Sequence, residues 1–429
     1  MRKILEKFSI LSMILVLFSI TNVCIVNAAE KNTDIEYEEA LVMMKNIGVL
    51  NDGIEYNSQD KVSREDMAVY TAKLLGEGDI NIENRYFVDV PASSYGAGAI
   101  NYLTACGVFA QNEDHLFHPE DNVDLNQVYK ILTTVLGYGV YAETNGKYPI
   151  GYQLAARESK IILPSESEAS FKNIMIILYR AAQAEMYEII NTGNSIKYMN
   201  NGETLLSRYH DIYFSKGTVE SISGLTTLEG SSVDDGYIRI NGNVYFLEAS
   251  IFEPDYLAEY VKYFYTDDKE GIKVKALFSS GKEEDLEINI ENINTISEQR
   301  ISYENENRKT KNNNLNGMLW IYNGSPLGTE ITAVLQNLNK GSVNLRDSDN
   351  DGSYDTVLIW DYKNFVVNGI NTETKTLSNK LYGGGTISSD DFANTLVFDE
   401  KKNSIMWEDI SANNVLSVAA SRDNSALHI

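Results

Sequence analysis

Residues 86–138 read YFVDVPASSYGAGAINYLTACGVFAQNEDHLFHPEDNVDLNQVYKILTTVLGY. An aromatic-Val-Asp-Val opening leads into a short helix that ends near Gly107. A loop carrying Phe117-x-Pro119 follows, then a longer amphipathic helix that stops at Gly137. The same plan precedes it over residues 34–76 and recurs in worn form over residues 148–186. Internal repetition of this length marks units that bury their apolar faces against their own copies.

The alignment of the first two copies is close. Gly107-Val108 falls on Gly48-Val49, Phe117 on Tyr56 and Val123 on Val62. From Ser63 and Asp124 onward the second helices align without a gap. In the first copy a helix is expected over 35–47, with Ala40, Leu41, Met44 and Ile47 at helical spacing and Gly48 as left-handed cap. Ser63-Arg64-Glu65-Asp66 opens the second helix, where Ser63 and Asp66 are spaced to form a reciprocal capping box. Met67, Tyr70, Leu74 and Leu75 form its apolar stripe. In the third copy, Tyr148-Pro149-Ile150-Gly151-Tyr152 starts one helix. Residues 171–186 form the next, with Ile174, Ile177, Leu178 and Ala181 on one face. Cys106, among apolar neighbours, reads as core filler.

These pieces resemble the S-layer homology domain of exported bacterial surface proteins, in its clostridial flavour. The residues that carry the likeness are Phe87-Val88-Asp89-Val90, Ala99-Ile100, Gly107-Val108, Phe117-x-Pro119, Ser63-Arg64-Glu65-Asp66 and Tyr148-Pro149-x-Gly151-Tyr152. The likeness covers about residues 34–186. It implies an all-α, triple-repeat, pseudo-threefold module within residues 29–190 whose grooves bind secondary cell-wall polysaccharide, typically through a pyruvylated sugar. It implies polysaccharide contacts from Arg64, Ser63, Glu65, Asp89 and Tyr95. A carboxylated sugar suits a guanidinium at a helix N-terminus, where free amides and the dipole also favour an anion. The chain departs from the family pattern at the positions equivalent to Arg64, which are Leu125 and approximately Phe171, so at most one groove keeps its arginine. Tyr95 stands where the family has tryptophan.

Composition agrees with export. Arg2, Lys3 and Lys7 precede an apolar run from Phe8 to Ile20 and a small-residue site at Ala28, so residues 1–28 read as a secretory signal peptide. No later stretch is long and apolar enough for a membrane span. The net charge of −25 becomes −27 once three bases and one acid leave with residues 1–28. Such acidity argues against nucleic acid as a partner. Only Cys106 follows residue 28 among the two cysteines, so no internal disulfide is available.

Residues 191–212 read as a linker. Beyond them short β-runs broken by Gly, Asn and Asp predict a β-rich domain over 213–300 and a second over 317–429, of barrel or sandwich type. The polar stretch 302–316 reads as an exposed loop between them. One helix is expected over 254–266, with Leu257, Tyr260, Val261 and Phe264 on one face. Asn241-Gly242 is a hairpin turn signal. Residues 331–335 fit the β pattern. The chain stops soon after an apolar strand, which suggests truncation.

Asp347-Ser-Asp349-Asn-Asp351-Gly352-Ser353-Tyr-Asp355 follows the start of a calcium loop, with Leu358 in place of the usual glutamate. An EF-hand is not expected; a calcium-binding turn between strands and a plain acidic turn are both open. Calcium is the candidate ion and no other cofactor is implied. No phosphate loop, zinc-spaced His/Cys set or nucleophile elbow is present. The reading is a non-catalytic surface protein held on wall polysaccharide, with other surface-layer proteins as further partners. The alternatives are a surface glycan hydrolase or a calcium-dependent adhesion or assembly protein.

Overall fold

The computed structural model describes residues 33–78, 86–111, 113–164, 167–191, 196–281, 285–381 and 385–429. Residues 1–28, expected to be a signal peptide, lie outside them. No helix among the described residues is long and apolar enough to cross a membrane. The chain forms two compact units, one ending at Ile212 and one spanning Tyr213–Ile429. The protein is multidomain and β-rich.

The first unit is built from helices α1 (33–46), α2 (Arg64–Leu74), α3 (Ala97–Ala105), α4 (Leu125–Val135), α5 (Gly139–Thr144), α6 (Ile150–Glu158) and α7 (Phe171–Gln183). Their starts follow side-chain capping. Ser63 and Asp66 form the expected box on α2, Asp124 and Gln127 form another on α4, and Ser170 caps α7. Their ends follow backbone permissiveness. Gly48, Gly76, Gly107 and Gly137 all have positive φ, and Lys160 takes the same conformation after α6. Helix α7 buries Ile174–Leu178 without interruption and keeps Lys172, Asn173, Arg180 and Gln183 on its one partly exposed face. Arg180 of α7 grips both carboxylate oxygens of Glu36 at 2.7 and 2.6 Å and the Ile162 carbonyl at 2.8 Å.

Three expectations are corrected here. Residues 191–212 are not a linker. After α7 the chain forms an antiparallel hairpin, β1 (Glu185–Asn191) and β2 (Ile196–Thr204), then the capped helix α8 (Leu205–His210). Tyr187 of β1 stacks on Tyr138 at 4.4 Å, and His210 reaches the Leu74 carbonyl at 3.0 Å. Specific packing on the helices thus converts a polar stretch into part of the unit, which is therefore not all-α. Helix α7 ends at Gln183 because Ala184 is already extended. Cys106 is exposed, since it occupies the C-cap of α3 rather than its buried face.

The second unit contains β3 (Ile212–Ile222), β4 (Leu225–Thr226), β5 (Tyr237–Ile240), β6 (Asn243–Leu247), β7 (Tyr260–Asp268) and β8 (Gly271–Ser279). They form one six-stranded sheet that closes through an additional β3–β7 pairing. The β5–β6 turn is Asn241-Gly242 with φ of 47° and 78°, as the two-residue hairpin requires. Next come β9 (Leu286–Asn289), β10 (Ile293–Ser297), β11 (Arg300–Glu304), β12 (Thr310–Asn314), β13 (Leu319–Tyr322), β14 (Ser325–Pro326), α9 (Ile331–Leu335), β15 (Gly341–Arg346) and β16 (Thr356–Asp361). The chain ends with β17 (Lys363–Asn371), β18 (Thr376–Asn379), β19 (Thr386–Ser388), β20 (Asn394–Leu396), β21 (Val415–Ala420) and β22 (Ala426–His428).

Strand β16 explains how this unit is layered. It is buried along its whole length. Leu358 and Trp360 enter the core of the closed sheet, while Val357 and Ile359 enter a second core with Ile288, Val343 and Leu345. Alternate side chains of one strand point to opposite faces, so a continuous apolar run fits a strand covered on both sides. The boundary expected between 213–300 and 317–429 is therefore absent. Strand β9 pairs with β15 across it, and Leu396 and Ala426 share a core with Val219.

Three local readings change with it. The helix expected over 254–266 is a strand preceded by a short 3-10 turn at Glu253–Asp255. Val261 and Tyr263 alternate into the closed-sheet core, and this aromatic, β-branched run fits a pleat better than a helix. Residues 302–316 are largely the hairpin β11–β12 rather than a loop. Residues 331–335 are helix α9, whose Val334 is buried with Ile331 and Leu335 beside it.

Candidate functional site

Helix α2 begins where two loops meet. The amides of Arg64 and Glu65 donate to the carbonyls of Asp121 and Pro119 at 2.8 and 3.0 Å. The amide of Asp66 donates to Ser63 Oγ at 3.0 Å. The N-terminal amides are therefore engaged by protein. The expectation that free amides would help hold an anion is corrected, because the neighbouring loop supplies the acceptors instead.

The arginine side chain is differently placed. Its Nε donates to the Phe117 carbonyl at 2.8 Å, and the guanidinium lies 4.7 Å from the Phe117 ring centre. It faces a pocket of about 230 Å³ also lined by Phe87, Phe109, Gln127, Lys130 and Tyr148. Lys130 stands 5.5 Å from the Tyr148 ring centre. Among the described residues neither cation makes an ion pair. Burial lowers the Arg64 pKa, against the opposing pull of Asp121, Asp89 and Asp124. The guanidinium nevertheless stays charged, its ordinary value being so high. Two of those carboxylates are already engaged by backbone. Asp89 accepts from the Phe117 and His118 amides at 2.8 and 2.7 Å, and Asp124 accepts from the Gln127 amide at 2.9 Å. Burial alone would raise the Asp89 pKa, but the two amides hold it below the usual range.

The five sequence candidates therefore part company. Arg64 faces the pocket. Ser63 is a helix cap. Asp89 staples the loop of residues 117–118. Glu65 is buried, and its Oε1 accepts from Ser94 Oγ and, at 2.8 Å, from the Gly96 amide at the start of α3. A Cβ at Gly96 would lie 2.4 Å from Glu65 Cγ, so the carboxylate fits only against glycine. Tyr95 donates to Asp66 Oδ1 at 2.6 Å and exposes 68% of its surface, but does not line the pocket. Glu65→Ala is expected to cost about 1–2 kcal/mol of unit stability through the lost cap, read as a lower urea midpoint.

Lys130, Gln127 and Tyr148 were not among the sequence candidates for this pocket. Tyr148 had a signal, since it opens the Tyr-Pro-x-Gly-Tyr stretch. Lys130 had none, because it lies within α4 away from the motif residues.

A second junction has the same design. The amides of Phe171 and Lys172 at the start of α7 donate to the carbonyls of Asp60 and Ser58 at 2.7 and 3.0 Å. Phe171 stacks on Tyr56 with ring centres 5.0 Å apart and planes 2° apart. In the sequence alignment Tyr56 falls on Phe117, and Phe171 approximately on Arg64. Where one junction sets a cation over an aromatic ring, the other sets ring on ring.

In the second unit, residues 347–355 join β15 to β16. Carboxylate oxygens of Asp347, Asp349 and Asp355 lie within 4.8 Å of one another and could hold a metal ion. Desolvation, then the charges of Asp351, Asp355 and Asp347, raise the Asp349 pKa. The other two ligand candidates, Asp351 and Ser353, are exposed, and Asp351 is not among the three gathered carboxylates. Asp351 contributes its amide instead, donating to Asp347 Oδ1 at 3.0 Å and Asp349 Oδ1 at 3.1 Å. Strands flank the loop on both sides, unlike an EF-hand.

Compared with known proteins, the chain matches no protein-family model and no curated sequence.

Proposed function

We propose that this is a non-catalytic, exported surface protein that binds secondary cell-wall polysaccharide through three helical repeats in its first unit. The observation that carries this reading is the Arg64 pocket, where two cations that make no ion pair among the described residues stand beside aromatic rings. A sugar bearing a carboxylate matches that chemistry: the charge meets Arg64 and Lys130, and the apolar part meets Phe117 and Tyr148. A pyruvylated terminal sugar has both features. The repeat reading gains support from the two equivalent junctions, in which the loop of one copy satisfies the helix start of another. The second of these is filled by Tyr56 and Phe171, leaving the Arg64 junction as the binding groove. The protein then sits on the wall, and its β-rich unit faces surface-layer partners.

Co-sedimentation of the full chain with purified walls tests this. Binding is expected to need the secondary polymer. Arg64→Ala should lower affinity at least about tenfold, the scale of one lost charge-assisted contact. Binding that survives both polymer stripping and Arg64→Ala would sink the proposal.

The gathered carboxylates of residues 347–355 favour one addition, a calcium ion that rigidifies the β15–β16 loop. Calcium at about a hundredfold excess over its Kd is expected to stabilise the second unit by about 2.7 kcal/mol. Asp347→Asn should abolish the shift. An unfolding midpoint indifferent to calcium and chelator would discard the ion.

A further inference from the structure

The second unit holds a cleft of about 620 Å³, within the roughly 300–1,000 Å³ range of small-molecule sites. It lies over the β17–β21 pair, and the buried Phe365 and Leu427 line it. The half-buried Phe392 adds a further apolar surface. Lys363, Asn379, Asn424 and Tyr322 supply polar groups.

The hydrogen bonds already made define what these groups have left. Tyr322 donates its hydroxyl proton to Asp361 Oδ2 at 2.9 Å, so toward a ligand it can only accept. Asp361 is itself buried and receives the Asn339 and Lys340 amides at Oδ1, at 2.9 and 3.3 Å, so it is a positioning residue. Asn379 Oδ1 accepts from the Leu381 amide at 2.9 Å, which leaves its NH2 to donate. The Asn424 amide and the Lys363 ammonium have no partner among the described residues. The charges in the cleft are Lys363 against Asp361 and Asp391. That balance disfavours an anion. Donors and acceptors alternating around aromatic and aliphatic surface suit a ligand with hydroxyls on its edge and C–H groups on its face.

We propose that this cleft binds a short neutral glycan. The assignment is independent of the Arg64 pocket and gives the β-rich unit a ligand of its own.

Saturation-transfer NMR on the full chain tests it. The probes are glucose, N-acetylglucosamine and their β-linked disaccharides, with glucuronic acid and triglycine as controls. Saturation transfer to a neutral sugar is expected. The double variant Lys363→Ala/Asn424→Gly should weaken it by about tenfold or more. Both positions are exposed, and Asn424 has φ 58°, which glycine adopts freely. Transfer to none of the neutral sugars, to glucuronic acid or triglycine alone, or undiminished in the double variant, would overturn the proposal.

Discussion

Gly137→Ala is expected to destabilise the first unit by about 4 kcal/mol or more, at the severe end for single substitutions. Two independent costs coincide at this position. Its φ is +90°, where a side chain is strained. A Cβ there would also lie 2.0 Å from the Tyr187 carbonyl oxygen, a backbone atom that cannot rotate away. Tyr187 is fixed in turn by its amide N–H, which donates to the Leu136 carbonyl at 2.8 Å, and by its stack on Tyr138. The substitution therefore pushes β1 off the end of α4. Gly48 provides the control. Its φ of +73° is similar, but nothing lies within 4 Å of a Cβ. Gly48→Ala should cost only about 1 kcal/mol. Urea denaturation of both variants checks the difference. Equal losses would mean that backbone strain alone matters and that the β1 contact contributes nothing.

Stability of the second unit is expected to fall as the pH rises from about 4.5 to about 7. The cause is a buried group of two acids and one base. Glu259 and Arg346 are both nearly inaccessible, with Oε2 3.6 Å from Nη1. Asp285 Oδ2 lies 2.9 Å from Arg346 Nε, off the N–H axis, which makes it an ion pair rather than an aligned hydrogen bond. Arg346 also donates to the Leu257 and Asp255 carbonyls, the latter at 2.8 Å. One guanidinium cannot neutralise two carboxylates, so one acid favours its protonated form. Burial pushes Glu259 up to about 7; Arg346 pulls it down and Asp285 adds to the rise. Burial likewise raises Asp285.

The sign follows from proton binding. Between the ordinary glutamate value near 4.3 and about 7, the folded state holds its proton more tightly than the unfolded state. The associated stabilisation is complete below that window and is lost as the pH rises through it. About 3 kcal/mol is the upper scale of the effect. Glu259→Gln keeps the shape and removes the titration. Its unfolding midpoint should be nearly level over this range, while the parent's declines. Parallel profiles for the two proteins would assign the pH dependence elsewhere. The group binds the start of β7, the approach to β9 and the end of β15, so its ionisation acts on the strands that join the two cores.

The first unit was far more legible than the second, for a physical reason. Its signals are local. Ser63 with Asp66, Asp124 with the residues after it, and Gly48, Gly107 and Gly137 each act within four residues of themselves, so spacing alone places helix ends. Arg64 could be singled out at the same level, as a cation at a helix start with hydrophobic counterparts at 125 and 171. What spacing left open was where each side chain is engaged. Glu65 and Asp89 are motif residues, yet they bond to Gly96 and to the 117–118 amides, partners about thirty residues away. Lys130 enters the pocket only because Tyr148 and Phe117 fold against it.

In the second unit the deciding contacts are longer still. Tyr260, Val261 and Phe264 satisfy a helical period, while Val261, Tyr263 and Tyr265 in the same run satisfy a strand period. Closure of β7 onto β3 and β8 resolves the ambiguity, because the pleat puts Val261 and Tyr263 in the core. The apolar run 356–360 announces a buried strand but not that it separates two cores, nor that β9 crosses to pair with β15. The sequence by itself determined the capped helices, the Asn241-Gly242 hairpin and the acidic loop, all set by interactions between near neighbours. Only the tertiary structure decided which motif side chains remain free, where the β-rich strands join, and that Glu259 and Asp285 share one arginine. Those outcomes depend on burial and on partners distant in the chain, which no local pattern encodes.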